Sequence, residues 1–430
     1  MTRGSGLPAR HPLALFQGIG VELEYMVVDS ETLSVLPVTD RILQEAAGHV
    51  VSEVEMGPLA WSNELVLHVV ELKTNGPAPE LAGLDRLFQS HVGKINGILA
   101  NLGGILLPTA MHPWMTPATE TVLWPHEFSP VYESYNRIFG CQGHGWSNLQ
   151  STHLNLPFAD DQEFGRLHAA IRLLLPMIPA IAASSPLVEG RPTGLLDNRM
   201  EFYRHNSRRI PSVTGAVIPE PIFTQDQYQR EIMEVMFRDI RPLDREGILQ
   251  HEFLNSRGAL PRFGRGSIEI RVMDVQECPG ADLALSQLIV CALRLLTSEA
   301  LSPFHHQKSI SVAPLASWFL DCIREGEEAV IRDRNTLGAL GIHAGSASSR
   351  EVWWHLLEAG EAAGLLPAGE PGTRIRSLLG RGTLARQILQ ALDVSPEPLQ
   401  RSSAPVSRPR LTQVYQALAE CLRDGRFFQA

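Results

Sequence analysis

The sequence predicts an α+β fold in which helices pack behind an antiparallel sheet lined with carboxylates, followed by a mostly helical C-terminal part. Three observations support this prediction. Strands and helices are mixed up to about residue 300, and helices follow. The strands are not regularly interleaved with helices, as parallel βαβ units require. The G-x-G-x-x-G and P-loop patterns are both absent, which disfavours a Rossmann-like fold. We therefore predict a sheet-containing domain over residues 1–300 and a helical region over residues 301–430 packed on it.

Composition excludes several classes of function. The 430 residues are 44% hydrophobic and 20% charged, as in a globular protein with a substantial core. A net charge of -10 argues against nucleic-acid binding and against an anionic membrane surface. Five scattered cysteines without a C-x-x-C pair indicate neither a disulfide framework nor a zinc knuckle. Residues 1–12 lack a hydrophobic signal segment, and the apolar stretches 171–188 and 285–296 are short or interrupted by proline. We expect a cytoplasmic protein without a membrane span.

Five strands are predicted from apolar and β-branched runs with alternating polarity. They cover residues 19–28, 66–74, 104–109, 150–157 and 266–274. The second strand is the most apolar, yet Glu71 lies in its middle. An ionised carboxylate is costly to bury unless a cation or a metal accompanies it. This strand therefore raises the question of what Glu71 faces.

Helices are predicted from apolar residues at helical spacing and from capping residues. They cover residues 81–102, 160–183, 225–238, 280–298, 314–325, 350–363, 373–392 and 411–426. Proline interrupts the second of them at Pro176 and Pro179. Residues 111–130 and 190–221 are expected to be irregular, the latter being a candidate lid that is too polar for the core. The Pro- and Ser-rich residues 394–409 separate the last helix from the rest.

Acidic residues recur on the first two strands. Side chains two residues apart on a strand point to the same face, so Glu22 and Glu24 share one side. Glu71 shares its face with Lys73 in the second strand. Glu64 and Glu71 are an odd number of positions apart, so on a regular strand their side chains would point to opposite faces. Glu64 can share the face of Glu71 only if a bulge or turn intervenes. We therefore place Glu64 at the mouth of that strand.

Two later strands show the same arrangement. His153 and Asn155 share a face of the strand STHLNLP, and Glu269 and Arg271 share a face of SIEIRVMD. A half-solvated sheet also carries polar residues on its wet face, and any one of these strands fits that interpretation. Together they fit it less well, because a wet face would mix lysine, serine, threonine and glutamine with the acids.

Crowded carboxylates need a cation to be stable on one face. Hard cations such as Mg²⁺ bind carboxylate oxygens and tolerate a histidine or an amide at the edge of the site. Several carboxylates, no glycine-rich phosphate loop, and arginines in residues 190–221 together predict a nucleotide that is held through metal ions.

The motifs GVELEY, Glu64 with Glu71 seven residues later, TAMHPW, STHLNL, PAIAASSP and SIEIRVMD occur in an order that resembles the glutamate–cysteine ligases. The resemblance extends to related carboxylate–amine ligases and covers about residues 18–296. It implies a glutamine-synthetase-like catalytic domain over residues 1–300, acting with Mg²⁺, or alternatively Mn²⁺, and with ATP as co-substrate. It further implies that the γ-carboxylate of glutamate is phosphorylated and that the amine of cysteine displaces the phosphate, as in glutathione biosynthesis.

The resemblance also assigns site residues. The implied metal ligands are Glu22, Glu24, Glu64, Glu71, Glu269 and His153. The implied catalytic residues are Glu269 and Arg271, with Arg271 contacting the transferring phosphate. Asn155 and Arg199 are implied to bind substrate or nucleotide, and Arg199 matches an arginine that binds a substrate carboxylate.

The sequence departs from the family pattern at two places. Asn155 stands where some relatives have the second histidine of H-x-H, and the segment around His112 lacks the Gly-Thr of G-T-H-P. His112 is therefore equally consistent with a structural role. One alternative is a ligase of the same family with a different amine or acid, and another is a guanidino kinase of the same fold. A non-catalytic scaffold is a third, against which the retained glutamates and Arg271 argue. The sequence indicates no oligomeric state.

Overall fold

The computed structural model describes residues 12–366, 369–395 and 404–430. The predictions made for residues 1–11, and for 396–403 within the Pro- and Ser-rich stretch, lie outside the described residues. The strands, in chain order, are β1 Gly20–Asp29, β2 Glu53–Met56, β3 Leu59–Asn63, β4 Val69–Thr74, β5 Gly104–Leu107, β6 Ser151–Pro157, β7 Leu187–Val188, β8 Arg191–Pro192, β9 Ala259–Arg262, β10 Ser267–Asp274, β11 Val330–Ile331 and β12 Ala347–Ser348.

Eight of these strands form one sheet in the order β2-β3-β4-β1-β6-β10-β9, with β5 pairing the second half of β1. Every pair in this sheet is antiparallel. The predicted α+β class with an antiparallel sheet is therefore confirmed. The remaining strands of the described residues form two short hairpins, β7-β8 and β11-β12.

The α-helices, in chain order, are α1 Thr39–Ala47, α2 Leu84–Ala100, α3 Pro117–Glu120, α4 Ser129–Phe139, α5 His144–Ser147, α6 Asp161–Leu174, α7 Pro179–Ala182, α8 Asn198–Tyr203, α9 Gln225–Tyr228, α10 Glu234–Ile240, α11 Pro279–Thr297, α12 Phe304–Ser309, α13 Val312–Glu325, α14 Arg334–Ala339, α15 Ser349–Ala362, α16 Glu370–Arg381, α17 Leu384–Ala391 and α18 Arg408–Asp424. A π-helical turn, Gln229–Met233, joins α9 to α10. Asp160 caps α6 by accepting from the Glu163 amide at 2.9 Å. A 3₁₀ turn, Leu175–Met177, separates α6 from α7, as the prolines predicted.

The structure differs from the predicted elements in several places. The strand expected at 66–74 begins only at Val69, and the hairpin β2-β3, strand β9 and helix α4 were not predicted. Strands β2 and β9 are only four residues long, too short for an alternation to register. The helix expected at 373–392 is two helices, because Gly382 takes a positive φ of 78° that ends α16.

The back of the sheet packs on α2 and α11. Alternate residues of β1, Val21, Leu23 and Tyr25, are fully buried in the same apolar cluster as the inner faces of these helices. Helix α11 has the length and apolar composition of a membrane span, but 83% of its apolar window is buried inside the protein. Such burial is typical of a core helix, as predicted for this stretch.

The C-terminal helices continue the same packing. Trp353 of α15 donates its indole N–H to the Met177 carbonyl at 2.8 Å. Helices α17 and α18 bury a second apolar cluster against Met26, Val28 and Leu107 at the end of the sheet. The backbone amides of Leu196 and Asp197 both donate to the Ile323 carbonyl in the last turn of α13, at 3.0 and 3.1 Å. The helical region thus holds the chain that leads into α8.

Candidate active site

One side of the sheet carries most of the polar residues singled out in the sequence. We call it the carboxylate face, the side of β3, β4, β1, β6 and β10 that bears Glu22, Glu24, Glu71, His153, Asn155 and Glu269. Side chains directly opposite on neighbouring antiparallel strands point to the same side. Glu71 lies opposite Glu24 on one side and opposite Ser62 on the other. The amide and hydroxyl of Ser151 both donate to Glu24 Oε2, at 2.6 and 2.9 Å. These residues form one row across the face.

A second row runs through Lys73, Glu22 and His153. His153 Nδ1 lies 2.9 Å from Glu22 Oε2, and Asn155 Nδ2 donates to Glu22 Oε1 at 3.0 Å. Burial acts to raise the pKa of Glu22, but the bond with His153 lowers it below its ordinary value. Burial opposes charge on His153 as well, yet the bond to Glu22 raises the pKa of the imidazole. The two residues therefore favour a charged pair.

Glu64 reaches the same region because residues 64–68 turn the chain between β3 and β4. β3 ends at Asn63 and β4 starts at Val69, so the parity of a continuous strand does not apply. No described residue forms a hydrogen bond or ion pair with the Glu64 carboxylate. Burial raises the pKa of Glu64 well above its ordinary value, and the charges of Glu24 and Glu71 raise it further.

Glu71 is buried and faces a mixed set of neighbours. Ser62 Oγ donates to Glu71 Oε2 at 2.5 Å, and Lys73 Nζ lies 3.0 Å from the same oxygen. Lys73 also pairs with Glu53 of β2 at 2.7 Å. Burial, together with the charge of Glu22, raises the pKa of Glu71 to about 7 despite these bonds. The carboxylate is therefore incompletely compensated by the protein itself.

Two groups of possible ligand atoms meet at Glu71. One group consists of Glu22, Glu71 and His153, and the other of Glu24, Glu64 and Glu71; within each group the ligand atoms lie within 4.8 Å of one another. Four carboxylates thus share this region with two cationic side chains, those of Lys73 and His153. Mg²⁺ and Mn²⁺ favour such oxygen-rich sets and retain waters in the remaining positions. The residues present fit divalent cations, and Glu71 could bridge two of them.

Glu269 lies on the same face but is compensated in a different way. Arg262 Nε donates to Glu269 Oε2 at 2.9 Å, and Arg271 Nη2 donates to Glu269 Oε1. Burial would raise the pKa of Glu269, but Arg271 and Arg262 hold it well below its ordinary value. Among the described residues, Glu269 belongs to neither of the two ligand groups. Its arginine partners make it the least available of the six predicted metal ligands.

A cavity of about 350 Å³ opens at one end of the carboxylate face. Glu22, Lys73, Asn155 and Arg265 contribute to its wall. Gly20 lies opposite Asn155 in the strand pairing, and a Cβ at Gly20 would come within 2.9 Å of the Asn155 Cβ. Glycine is therefore required here for the two strands to approach. The cavity offers space for part of a small molecule beside Glu22 and Lys73.

Strand β10 contains a bulge that sequence parity does not reveal. Ile270 pairs with Leu154 but Met273 pairs with Thr152, so Arg271 and Val272 together oppose one residue of β6. After the bulge the faces exchange, and Asp274 pairs with Ser151 on the carboxylate face. A regular strand would have placed Asp274 in the core.

The structure places Arg199 in a buried ion pair. Its Nε donates to Asp274 Oδ1, and Nη1 donates to the Arg271 carbonyl at 3.1 Å. Arg199 is 2% exposed and Asp274 is fully buried. The expectation that residues 190–221 are too polar for the core is therefore wrong at Arg199, because Asp274 supplies its counter-charge. Sequence parity did not indicate Asp274 as its partner, because the bulge moves the Asp274 side chain to the other face of the strand.

His112, left open between two roles, lies away from the carboxylate face. It is fully buried, its Nε2 contacts the Leu33 carbonyl at 2.8 Å, and its Nδ1 accepts from the Trp114 amide at 3.3 Å. Burial lowers its pKa to about 3. These contacts are those of a neutral structural histidine. Ser151, two residues before His153 on β6, is by contrast a site residue that strand parity could have identified. Ser62 lies on β3, across the turn from Glu71, where strand parity does not reach it.

Comparison with known proteins adds to this geometry. The model of glutamate–cysteine ligase family 2 matches residues 18–338, well over half of the chain. The chain belongs to glutamate–cysteine ligase family 2. Relatives of this family member include an uncharacterised protein of Archaeoglobus fulgidus, 37% identical over 278 residues that cover 64% of this chain and 74% of that one. A Rubrobacter xylanophilus protein, provisionally named glutamate–cysteine ligase 2-3, is 23% identical over 64% of this chain and 68% of its own.

Solved structures share the fold of this glutamate–cysteine ligase family 2 protein. A glutamate–cysteine ligase of Francisella tularensis, solved in complex with AMP, has a TM-score of 0.53 and 14% identity over 95% of this chain and 93% of its own. A bifunctional glutathione synthetase of Pasteurella multocida has the same TM-score and identity over 94% of this chain and 52% of its own. Family membership and the shared fold support a ligase of the carboxylate–amine type.

Proposed function

We propose that the protein is an ATP- and divalent-metal-dependent ligase that joins the γ-carboxylate of glutamate to the amine of cysteine through an acyl phosphate. The single observation that carries this proposal is the position of Glu71 in both ligand groups of the carboxylate face. A carboxylate and an amine do not condense at neutral pH without activation. Transfer of the γ-phosphoryl group of ATP to the carboxylate releases ADP and creates a phosphate leaving group.

The metal ions would supply charge neutralisation for the phosphoryl group in transfer. Glu22, Glu71 and His153, once its imidazole has released its proton, would hold one ion, and Glu24, Glu64 and Glu71 the other. Ser62 and Ser151 orient the carboxylates of Glu71 and Glu24 by hydrogen bonding to one oxygen of each. The second oxygen of each carboxylate accepts no hydrogen bond from the described residues and would bind the ion.

Arg271 stands beside the carboxylates as the group proposed to contact the transferring phosphate. One of its nitrogens is held by Glu269, while its buried Nε has no hydrogen-bond partner among the described residues. The side chain is 18% exposed, and a planar guanidinium suits a phosphoryl oxygen. Attack of the amine nitrogen on the acyl carbon expels phosphate, and the nitrogen loses a proton. Asn155 and Lys73, which line the 350 Å³ cavity, would contact the nucleotide.

The carboxylate face does not determine the identity of the amine substrate. Cysteine is favoured by the family, and a reducing cytoplasm suits a free thiol substrate. The five cysteines of the chain are buried and unpaired, as expected in such a compartment. The second candidate is a ligase of the same family with another amine or acid, because no residue of the carboxylate face selects a thiol.

The test is to incubate purified protein with ATP, Mg²⁺, glutamate and a panel of amines, and to measure ADP release together with product mass. A γ-glutamylcysteine mass that appears with ADP supports the proposal, and the Glu71→Gln variant serves as the inactive control. ADP release with another amine, but not with cysteine, would support a ligase whose acceptor is that amine. ADP with a stable phosphorylated substrate and no amide would point to a phosphotransferase and overturn the proposal.

A further inference from the structure

The backbone around Arg271 is held by groups from outside the sheet. The pairing of β10 with β9 ends at Ile270 and Ala259. One step further, the Arg271 amide donates to the Gly258 carbonyl at 3.0 Å. In a regular antiparallel pair Gly258 N–H would return the bond to the Arg271 carbonyl. Instead it donates to the Val217 carbonyl at 2.8 Å, and Arg199 donates to the Arg271 carbonyl. The guanidinium of Arg199 thus takes the place of a strand hydrogen bond at the bulge.

Close packing around Gly258 also fixes the backbone beside Arg271. A Cβ at Gly258 would lie 2.6 Å from Val272 Cγ1 and 3.0 Å from Val217 Cγ1, so only glycine is accommodated there. Val217 is buried with a φ of 67°, an uncommon conformation for a β-branched residue. Backbone strain of this kind persists only where the surrounding structure holds it. Residues 190–221 therefore meet the bulge at two places, Arg199 and Val217.

Asp274, the ion-pair partner of Arg199, is itself fixed by hydrogen bonds. Asp274 accepts from Arg199, from the Ser184 amide at 2.9 Å and from the Ser185 hydroxyl at 3.0 Å. A buried carboxylate that receives three donors holds its guanidinium partner in one orientation. That orientation directs Nη1 at the Arg271 carbonyl.

We propose that Arg199, fixed by Asp274, is a positioning residue that holds the β10 bulge and so aims Arg271 at the reacting phosphoryl group. Residues 190–221 then form a fixed support for this bulge rather than a lid. The inference rests on the proposed function, because it assumes that Arg271 acts on the reaction. It differs from the role implied by resemblance, in which Arg199 binds a substrate carboxylate.

The test compares Arg199→Lys with Arg204→Lys. Lysine at 199 keeps a charge for Asp274 but loses the second N–H that reaches Arg271. Arg204 follows α8 and is the matched control, because among the described residues its Nε and Nη2 donate to the nearby Glu201 alone. We expect kcat to fall about a hundredfold in Arg199→Lys, the cost of misplacing a catalytic group by about 1 Å. The KM values for glutamate and the amine should stay within about twofold, and Arg204→Lys should match wild type.

A double-mutant cycle separates the two roles. If Arg199 acts through Arg271, Arg199→Lys costs little further in an Arg271→Ala background. A large rise in KM for one amino-acid substrate, with additive losses in the cycle, would overturn positioning and favour direct substrate binding. Gly258→Ala provides an independent variant, since it displaces the bulge without touching Arg199 and should lower kcat in the same way.

Crystal structures of Arg199→Lys and Gly258→Ala give a readout that does not depend on turnover. A shifted Arg271 guanidinium that no longer pairs with Glu269 supports the inference. An unmoved Arg271 in both folded variants overturns it, even if the amine acceptor is unknown. An inactive wild-type protein whose variants still displace Arg271 would instead contradict the proposed function alone.

Discussion

Glu24 and Glu71 lie directly opposite one another on neighbouring strands, on a face where both side chains are buried. Like charges in this position destabilise a sheet. Serine hydroxyls bond to each carboxylate, but within the described part of the chain Lys73 alone forms an ion pair with Glu71. The described residues therefore leave the charge of these two carboxylates incompletely compensated.

The first prediction concerns Glu71. Glu71→Gln should preserve the fold but lower turnover at least about a hundredfold, because metal ions supply several kcal/mol of transition-state stabilisation. Titration with Mn²⁺ followed by electron paramagnetic resonance should show two ions per wild-type chain with nucleotide, and impaired binding at both sites in the variant. The exposed Glu55→Gln on β2 is the charge-matched control. Wild-type turnover in Glu71→Gln would refute the assignment of this residue.

The second prediction concerns Glu64. Its half-buried carboxylate has no hydrogen bond or ion pair from the described residues, so Glu64→Gln should stabilise the metal-free protein by about 1 kcal/mol, a typical size for a single substitution. The same variant should gain less thermal stability from Mg²⁺ than wild type does. Melting curves with and without Mg²⁺ measure both effects. A destabilised metal-free variant would show that Glu64 is a structural carboxylate.

The third prediction concerns pH. Burial raises the pKa of Glu71 to about 7, so between pH 4.5 and about 7 the folded chain retains a proton that the unfolded chain releases. Metal-free stability should therefore fall as pH rises through this interval, and the loss should be smaller in Glu71→Gln. Stabilisation by Mg²⁺ should grow over the same interval, since the ion binds the deprotonated carboxylates. Equal pH profiles for wild type and Glu71→Gln would contradict this.

The fourth prediction concerns Arg271. Arg271→Lys replaces a planar guanidinium, which pairs with Glu269 and is partly exposed, by a single point charge. We expect kcat to fall tenfold or more while thermal stability changes little. Steady-state kinetics with a parallel melting curve provide the measurement. If kcat is unchanged in a folded variant, Arg271 serves only as the counter-charge of Glu269.

Strand parity was sufficient to place Glu22 with Glu24 and His153 with Asn155 on one face, because β1 and β6 are regular. It failed at Asp274, because the bulge in β10 exchanges the faces and no residue type marks a bulge of this kind. Glu64 could be placed only conditionally, since the turn that brings it to Glu71 has no glycine or proline signal. The burial of Arg199 was not predicted, because its ion-pair partner Asp274 is distant in sequence. The local sequence pattern therefore predicts which face of a strand a side chain occupies. Bulges, and ion pairs between residues distant in sequence, can be identified only in the folded structure.

The bonds from Leu196 and Asp197 to Ile323 have a consequence for how far the chain can be shortened. The last carbonyls of a helix lack partners within it, and here one of them receives both amides at the entrance to α8. A chain truncated after residue 300 would keep every glutamate of the carboxylate face. It would also leave two backbone amides without an acceptor, immediately before Arg199. We therefore expect a chain cut at the end of its sheet to lose the support of α8 and Arg199, and the proposed activity to need the helices beyond residue 300.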